Sequence, residues 1–206
     1  MSQQTDLFDS LLADIIVLTN RPDLEDESHI ALRAATRNAH FSDFYPRDCQ
    51  ISSIQLPSMG YTAQLDVPSL FPMLRGIDRI QLLDAQYLPV SFTPESQIQA
   101  AELGDIYDEV GRVRNNIAFL AGSNLNVRSI VQGYGLLVTW FKSPQTKREL
   151  FDSWIAQEYP EVITFWAASI VLDTSGNEAK AQKYLQLVQN LYIPAMKSNF
   201  LLGAAR

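Results

Sequence analysis

The chain offers few side chains that could carry chemistry, and their spacing decides what each could do. The two histidines, His29 and His40, lie eleven residues apart. In a helix that places them on roughly the same face but about three turns apart, too far for one metal ion. Both are expected to be surface side chains. Asp105 and Asp108 have a spacing at which one carboxyl could act as acid and the other as base. Acidic pairs on solvated helices are common, however. Cys49 is the single cysteine. A lone thiol makes no internal disulfide and no cysteine cluster, so a small apolar filler is expected, in a fold that assembles in a reducing cytoplasm. Gly133-Tyr134-Gly135 precedes a strand-like run instead of a helix, which is not the order of a dinucleotide loop, and no serine sits in a G-x-S-x-G elbow. No enzyme activity, cofactor or metal is expected. The remaining chemical alternative is a small hydrolase whose carboxylates come from distant parts of the chain. Trp140, Trp154 and Trp166 stand among apolar, periodic neighbours, so core positions are expected for Trp154 and Trp166.

The elements that would position these residues follow from periodicity. Leu7, Leu11, Ile15 and Leu18 recur at helical spacing behind Thr5 as N-cap, and Asn20-Arg21-Pro22 ends that helix. A second helix is predicted from Leu24 to Phe41, with Glu25, Asp26 and Glu27 in its first turn. Arg33, Arg37 and His40 fall later on one face. This stripe is either a solvated face favoured by the helix dipole or a contact with an acidic neighbour or a phosphate backbone. From about 45 to 144, prolines exclude long helices, and strands are predicted at Tyr61–Leu65 and Arg75–Leu83. A hairpin follows over Asn116–Ile130, with Gly and Asn supplying positive φ at its turn, and Tyr134–Phe141, apolar on both faces, reads as a sheet-centre strand. A short helix is predicted at Gly104–Val110. The C-terminal third is predicted as a helix over Lys147–Glu158, a central helix begun by Pro160, and a last helix that buries Tyr184, Leu187, Val188 and Leu191 and stops at Pro194. The fold class is α+β. N- and C-terminal helices (1–44 and 145–196) pack as a bundle, with an inserted antiparallel β region (about 45–144) and a C-terminal tail (195–206). Together they form one domain over 1–206.

Composition narrows the function. With 16 basic and 23 acidic side chains the net charge is −7, so a basic patch gripping nucleic acid is not the expected feature. The charged fraction of 19% lies below the usual quarter or so, as in chains that hide surface in an assembly or that build a large monomer core. The first residues show no basic start followed by an apolar run, and no stretch approaches the ~20 apolar residues of a membrane span, so a soluble protein without a signal peptide is expected.

Several short runs resemble tailed-phage structural proteins. They are Leu18-Thr19-Asn20-Arg21-Pro22-Asp23-Leu24, Ala31-Leu32-Arg33-Ala34-Ala35-Thr36 and His40-Phe41-Ser42-Asp43-Phe44-Tyr45-Pro46 near the start. Further on are Leu120-Ala121-Gly122-Ser123-Asn124-Leu125-Asn126-Val127-Arg128-Ser129 and Ser153-Trp154-Ile155-Ala156-Gln157-Glu158-Tyr159-Pro160. The layout resembles head-to-tail adaptors, including the tail tubular A-type proteins of short-tailed phages. The resemblance implies a ring of identical subunits, usually twelve-fold, beneath the portal protein in the virion neck. Such a ring extends the DNA channel and offers a platform to a tail tube or nozzle protein. It also implies that double-stranded DNA passes through the lumen without sequence-specific binding, for which an acidic balance is suited. Partner contacts are expected at Arg33 and Arg37 and at Phe200, Leu201 and Leu202, the last three because consecutive large apolar residues near a terminus need cover, from an outside groove or, alternatively, from the protein's own core. The alternative is another virion component, a tail-completion or minor capsid protein.

Overall fold

A computed structural model describes residues 3–56, 62–83, 89–90, 93–94, 117–128 and 134–203. It is an α+β fold divided into two compact units, Met1–Arg47 with Pro144–Arg206, and Asp48–Ser143. The candidate helix at Gly104–Val110 lies outside the described residues.

The first unit is helical. Helix α1 (Gln3–Thr19) buries Phe8, Leu11, Leu12 and Ile15, the i, i+3, i+4, i+7 stripe of an amphipathic helix. Thr5 is not its cap but lies inside it. The helix stops where Asn20 turns left-handed (φ 56°), a conformation asparagine tolerates better than most residues. Its free end is satisfied from elsewhere in the unit. The Lys180 ammonium and the Tyr184 hydroxyl both donate to the Leu18 carbonyl, at 2.8 and 3.3 Å. Helix α2 (Glu25–Phe41) buries Ala31, Leu32, Ala35, Thr36, Ala39 and His40.

The predicted Lys147–Glu158 helix is broken. A 3-10 turn (Arg148–Leu150) is followed by an extended stretch in which Asp152 bridges Gln145, then by α4 (Trp154–Glu158; here α3 is the one-turn helix Val67–Leu70 of the second unit). The break has a local cause. Extended Ser153 caps α4 by accepting the Ala156 N–H at 3.1 Å, and a residue in that extended conformation interrupts a helix. Leu150 is exposed as a result, while Phe151 is buried. Helix α5 (Pro160–Thr174) opens on Pro160 and buries Val162, Ile163, Ala167, Ala168, Val171 and Leu172, packing against α1, α2 and α4. Gly176 (φ 79°) then reverses the chain into α6 (Glu178–Leu187).

Pro194 does not end the last helix. A π-helical turn (Val188–Tyr192) leads into α7 (Ile193–Gly203), with Pro194 in the first turn of that helix. The wider π turn accommodates a ring that would clash with an α-helical carbonyl one turn back. The rotation it introduces buries Val188 and Met196 but leaves Leu191, expected in the core, 54% exposed. Helices α1, α2, α4, α5 and α7 share one core, from Phe8 to Met196, with Trp154 and Trp166 packed at its margin.

Among the described residues the second unit holds two four-stranded sheets. One has the order β1 (Cys49–Gln55), β8 (Gly135–Lys142), β3 (Leu74–Leu83), β4 (Pro89–Val90), all antiparallel. The other runs β2 (Thr62–Asp66), β7 (Asn124–Arg128), β6 (Ile117–Ala121), β5 (Thr93–Pro94). The short β5–β6 pair is parallel, which departs from the all-antiparallel expectation. Strand β8 lies between β1 and β3, as its two apolar faces predict. Leu136, Val138 and Trp140 are buried, and the alternate positions are half-buried. Gly135 opens it because a Cβ there would sit 3.1 Å from the Ile54 carbonyl oxygen. The β6–β7 hairpin turns on Gly122-Ser123, with Gly122 at φ 59°. That is glycine in the first place of a two-residue turn, as type II′ geometry wants. Asn124, credited above with part of the positive φ, is instead the first residue of β7.

Candidate functional site

The helical unit sets a serine beside a histidine. His40 Nε2 lies 2.9 Å from Ser153 Oγ, a pairing that in an open cleft would make a nucleophile and its base. Here both side chains are buried, at 2% and 1% exposure, and Ser153 Oγ already accepts the Ala156 N–H. Around them Trp154 meets His40 and Tyr45 edge to face, and the Arg47 guanidinium lies over its ring. No substrate carbonyl reaches that oxygen. The pair joins α2 to the start of α4, and its role is structural. His40 is therefore no surface histidine. Its position on the edge of the α2 stripe lets the ring turn inward where Arg33 and Arg37 cannot. His29 is half-buried and stacks on Phe8 at 5.4 Å between centroids, with Glu25 4.0 Å away.

Of the other candidates, Cys49 is a half-buried free thiol in β1. Trp140 is buried, donates from Nε1 to Ser52 Oγ at 2.9 Å and meets Phe71 edge to face. Asp105 and Asp108 lie outside the described residues. Among the described residues no group of three or more histidine, cysteine and acidic side chains could hold a metal ion, and no helix is long and apolar enough to cross a membrane.

The surface carries more information than the interior. Arg33 and Arg37 are exposed on the side of α2 opposite its buried stripe, and Ile30 (66% exposed) and Phe41 (54% exposed) share that side. The spacing 30, 33, 37, 41 makes one continuous stripe of apolar ends around two guanidinium groups. Isolated exposed apolar side chains are ordinary; here two lie on one stripe with two cations between them. Phe200, Leu201 and Leu202 belong to the last turns of α7, so they continue a helix instead of lying in a loose tail. In the second unit β1 is an edge strand among the described residues, and Ile51 on it is 69% exposed. The periodicity of α2 predicted the arginine stripe. The neighbouring Ile30 and the β1 edge went unread, because an apolar residue's exposure depends on what packs beside it.

One ion pair ties the start of the chain to its last third. Arg148 Nε and Nη2 donate to the two Asp9 carboxylate oxygens at 2.8 and 2.5 Å. The guanidinium holds the Asp9 carboxyl below its usual range, first through these hydrogen bonds and then through its charge. A depressed carboxyl adds stability that is present at neutral pH and lost as pH falls through its folded-state value. The pair is solvent-exposed, so the contribution is small. Asp9→Asn is expected to lower the melting temperature slightly at neutral pH and not at all once the pH is below the folded-state value. Parallel melts of both proteins down an acid series check this, and a gap that persists or widens in acid would contradict it.

Compared with protein-family models and with curated protein sequences, the chain shows no match.

Proposed function

We propose that this chain is a non-enzymatic structural subunit of a tailed-phage particle, a head-to-tail adaptor that works as one copy in a ring. In this reading the N- and C-terminal helices form a bundle carrying an inserted β unit. Twelve copies close beneath the portal protein in the virion neck, extend the DNA channel and receive a tail tube or nozzle protein. Double-stranded DNA passes the lumen without sequence-specific contact, which the net charge of −7 favours by denying the phosphates a place to stick. Arg33 and Arg37 serve a protein contact, and Phe200, Leu201 and Leu202 dock on the portal.

The observation that carries the reading is the outer stripe of α2, apolar and cationic residues presented together on the side away from the core. Apolar and cationic side chains grouped on one outer face suit a subunit of an assembly. The sequence resemblance to adaptors supplies the kind of assembly. The test is co-sedimentation of the full chain with purified portal rings. Saturable binding, at a copy number matching the portal, is expected. Absence of binding, or a hydrolase activity that vanishes when one carboxylate is replaced, would overturn the reading.

The β unit is assigned to contacts with the next subunit or the tail. Deleting the Gly122 hairpin is a poor probe of this, because Ala118, Leu125 and Val127 on its strands are core residues. Ile51→Lys is the better probe. It puts a charge on the exposed edge strand and touches no core contact. The expected outcome is an unchanged melt with assembly weakened about tenfold or more, the scale on which hot-spot side chains act. Normal assembly of this variant would show that the β1 edge is not an interface.

A further inference from the structure

Two helices of the first unit present outer faces of opposite character. On α1, Asp6, Ser10, Ala13, Asp14 and Val17 are exposed, and Val17 is 78% exposed. This face is acidic with an apolar end. On α2 the outer stripe is Ile30, Arg33, Arg37 and Phe41, with Ala34 half-buried beside it. The side chains of Asp6, Asp14, Arg33 and Arg37 make no hydrogen bond or ion pair with the described residues. Within one copy the two faces cannot meet, since each points away from the core that α1 and α2 share.

We infer that the outer face of α2 docks on the outer face of α1 of a second copy of this chain, with the two helices antiparallel. The register follows from the spacing. Place Val17 on Ile30. Three residues back along α1 is Asp14, and three residues on along α2 is Arg33, each about 4.5 Å away along its axis. Four residues from the start, Ala13 meets Ala34, two small side chains that let the helix axes approach. Seven residues away Ser10 meets Arg37, whose guanidinium reaches on toward Asp6 in the following turn. Val17 falls on Ile30, Ala13 on Ala34 and Asp14 on Arg33 in one alignment, and Phe41 lies at the far end beside Asp6.

The two patches differ, so the contact is heterologous. It leaves the α1 face of one copy and the α2 face of the other open, and repetition gives a closed ring or an open filament. The assignment rests on the ring reading above and supplies its subunit interface. It also gives the arginines a carboxylate partner in place of a phosphate backbone.

Charge reversal in full-length chains tests it. Four samples are compared by sedimentation velocity at low salt, free and on portal rings: wild type, Asp14→Arg, Arg33→Glu, and the chain carrying both changes. Wild type is expected to form species larger than a dimer. Each single reversal is expected to weaken assembly about tenfold or more, because like charges then face each other. The doubly reversed chain is expected to recover, and so is an equimolar mixture of the two single variants, in which every junction again pairs opposite charges. Recovery excludes misfolding as the cause of the loss. If wild type assembles and the single reversals assemble equally well, this interface is wrong and the ring reading stands. If wild type neither self-associates nor collects on portal rings, both fall.

Discussion

A chain cut after Ser198 is expected to melt where the full chain melts and yet fail to co-sediment with portal rings. A chain cut after Pro194 is expected to lose about 2–5 kcal/mol of stability. The two cuts differ by four residues and separate two roles of α7. Met196 is fully buried in the helical core, so removing it leaves a cavity as a large-to-small core substitution does. Lys197 adds an ion pair, its ammonium donating to the Asp43 carboxylate at 2.8 Å. The Asp43 carboxylate raises the Lys197 ammonium above its usual range, chiefly through that hydrogen bond. The first cut keeps both residues and removes 199–206, including Phe200, Leu201 and Leu202. Each of those side chains is worth roughly 1.5–3 kcal/mol if fully buried against a partner, less the entropy of fixing it. Repetition around a ring multiplies even a modest net gain, because each docked copy raises the effective concentration of the next. The measurements are a thermal melt and portal co-sedimentation on both truncated chains. Portal binding by the 1–198 chain at full-length strength would refute the docking role of the α7 end.

Asp48→Ala is expected to destabilise the β unit by up to about 3–5 kcal/mol, the scale for breaking a buried ion pair. Arg75 Nη1 lies 3.3 Å from Asp48 Oδ2, and the two side chains are only 9% and 4% exposed. Asp48 sits just before β1 and Arg75 is in β3, the two strands that flank β8. Between them the guanidinium lies over the ring of Phe141, at the end of β8, 5.6 Å from its centroid. The pair therefore fastens both neighbours of the central strand at one end of the sheet. Losing the carboxylate removes one of the groups that hold the Arg75 guanidinium in a dry place. Replacing both partners by apolar residues, Asp48→Leu with Arg75→Met, removes that penalty and is expected to recover most of the loss. Denaturant unfolding of the single and double variants checks this, and a double variant as unstable as the single one would show that the loss is not one of unpaired charge.

What was legible in the sequence was the part written in local periodicity. Helix α2 was predicted to within a residue and β8 was placed in the middle of a sheet, because a 3.6-residue stripe and a run apolar on both faces each have one ready interpretation. Asn20 was read as the end of α1 from its own backbone preference. The failures occurred where partners distant in the chain decide the outcome. Spacing alone groups His40 with Arg33 and Arg37 on the surface. The hydroxyl that holds it inside belongs to Ser153, more than a hundred positions away. The break before Trp154 and the helix that continues through Pro194 depend on a cap and a π turn, which apolar periodicity does not report. The Asp48–Arg75 pair left no trace at all, since a separation of 27 residues across a sheet has no sequence signature. The candidate interface was half legible. The arginines stood out by charge, while their apolar flanks and the complementary face of α1 required knowing which side of each helix the core occupies.

The central claim is that this chain is one copy in a ring at the virion neck. The most direct measurement is an image of virions in which this subunit alone carries an electron-dense label. The expected result is label confined to a closed ring immediately beneath the portal, present in every filled particle. Label on the capsid shell or at the distal end of the tail, or virions without it, would contradict the account.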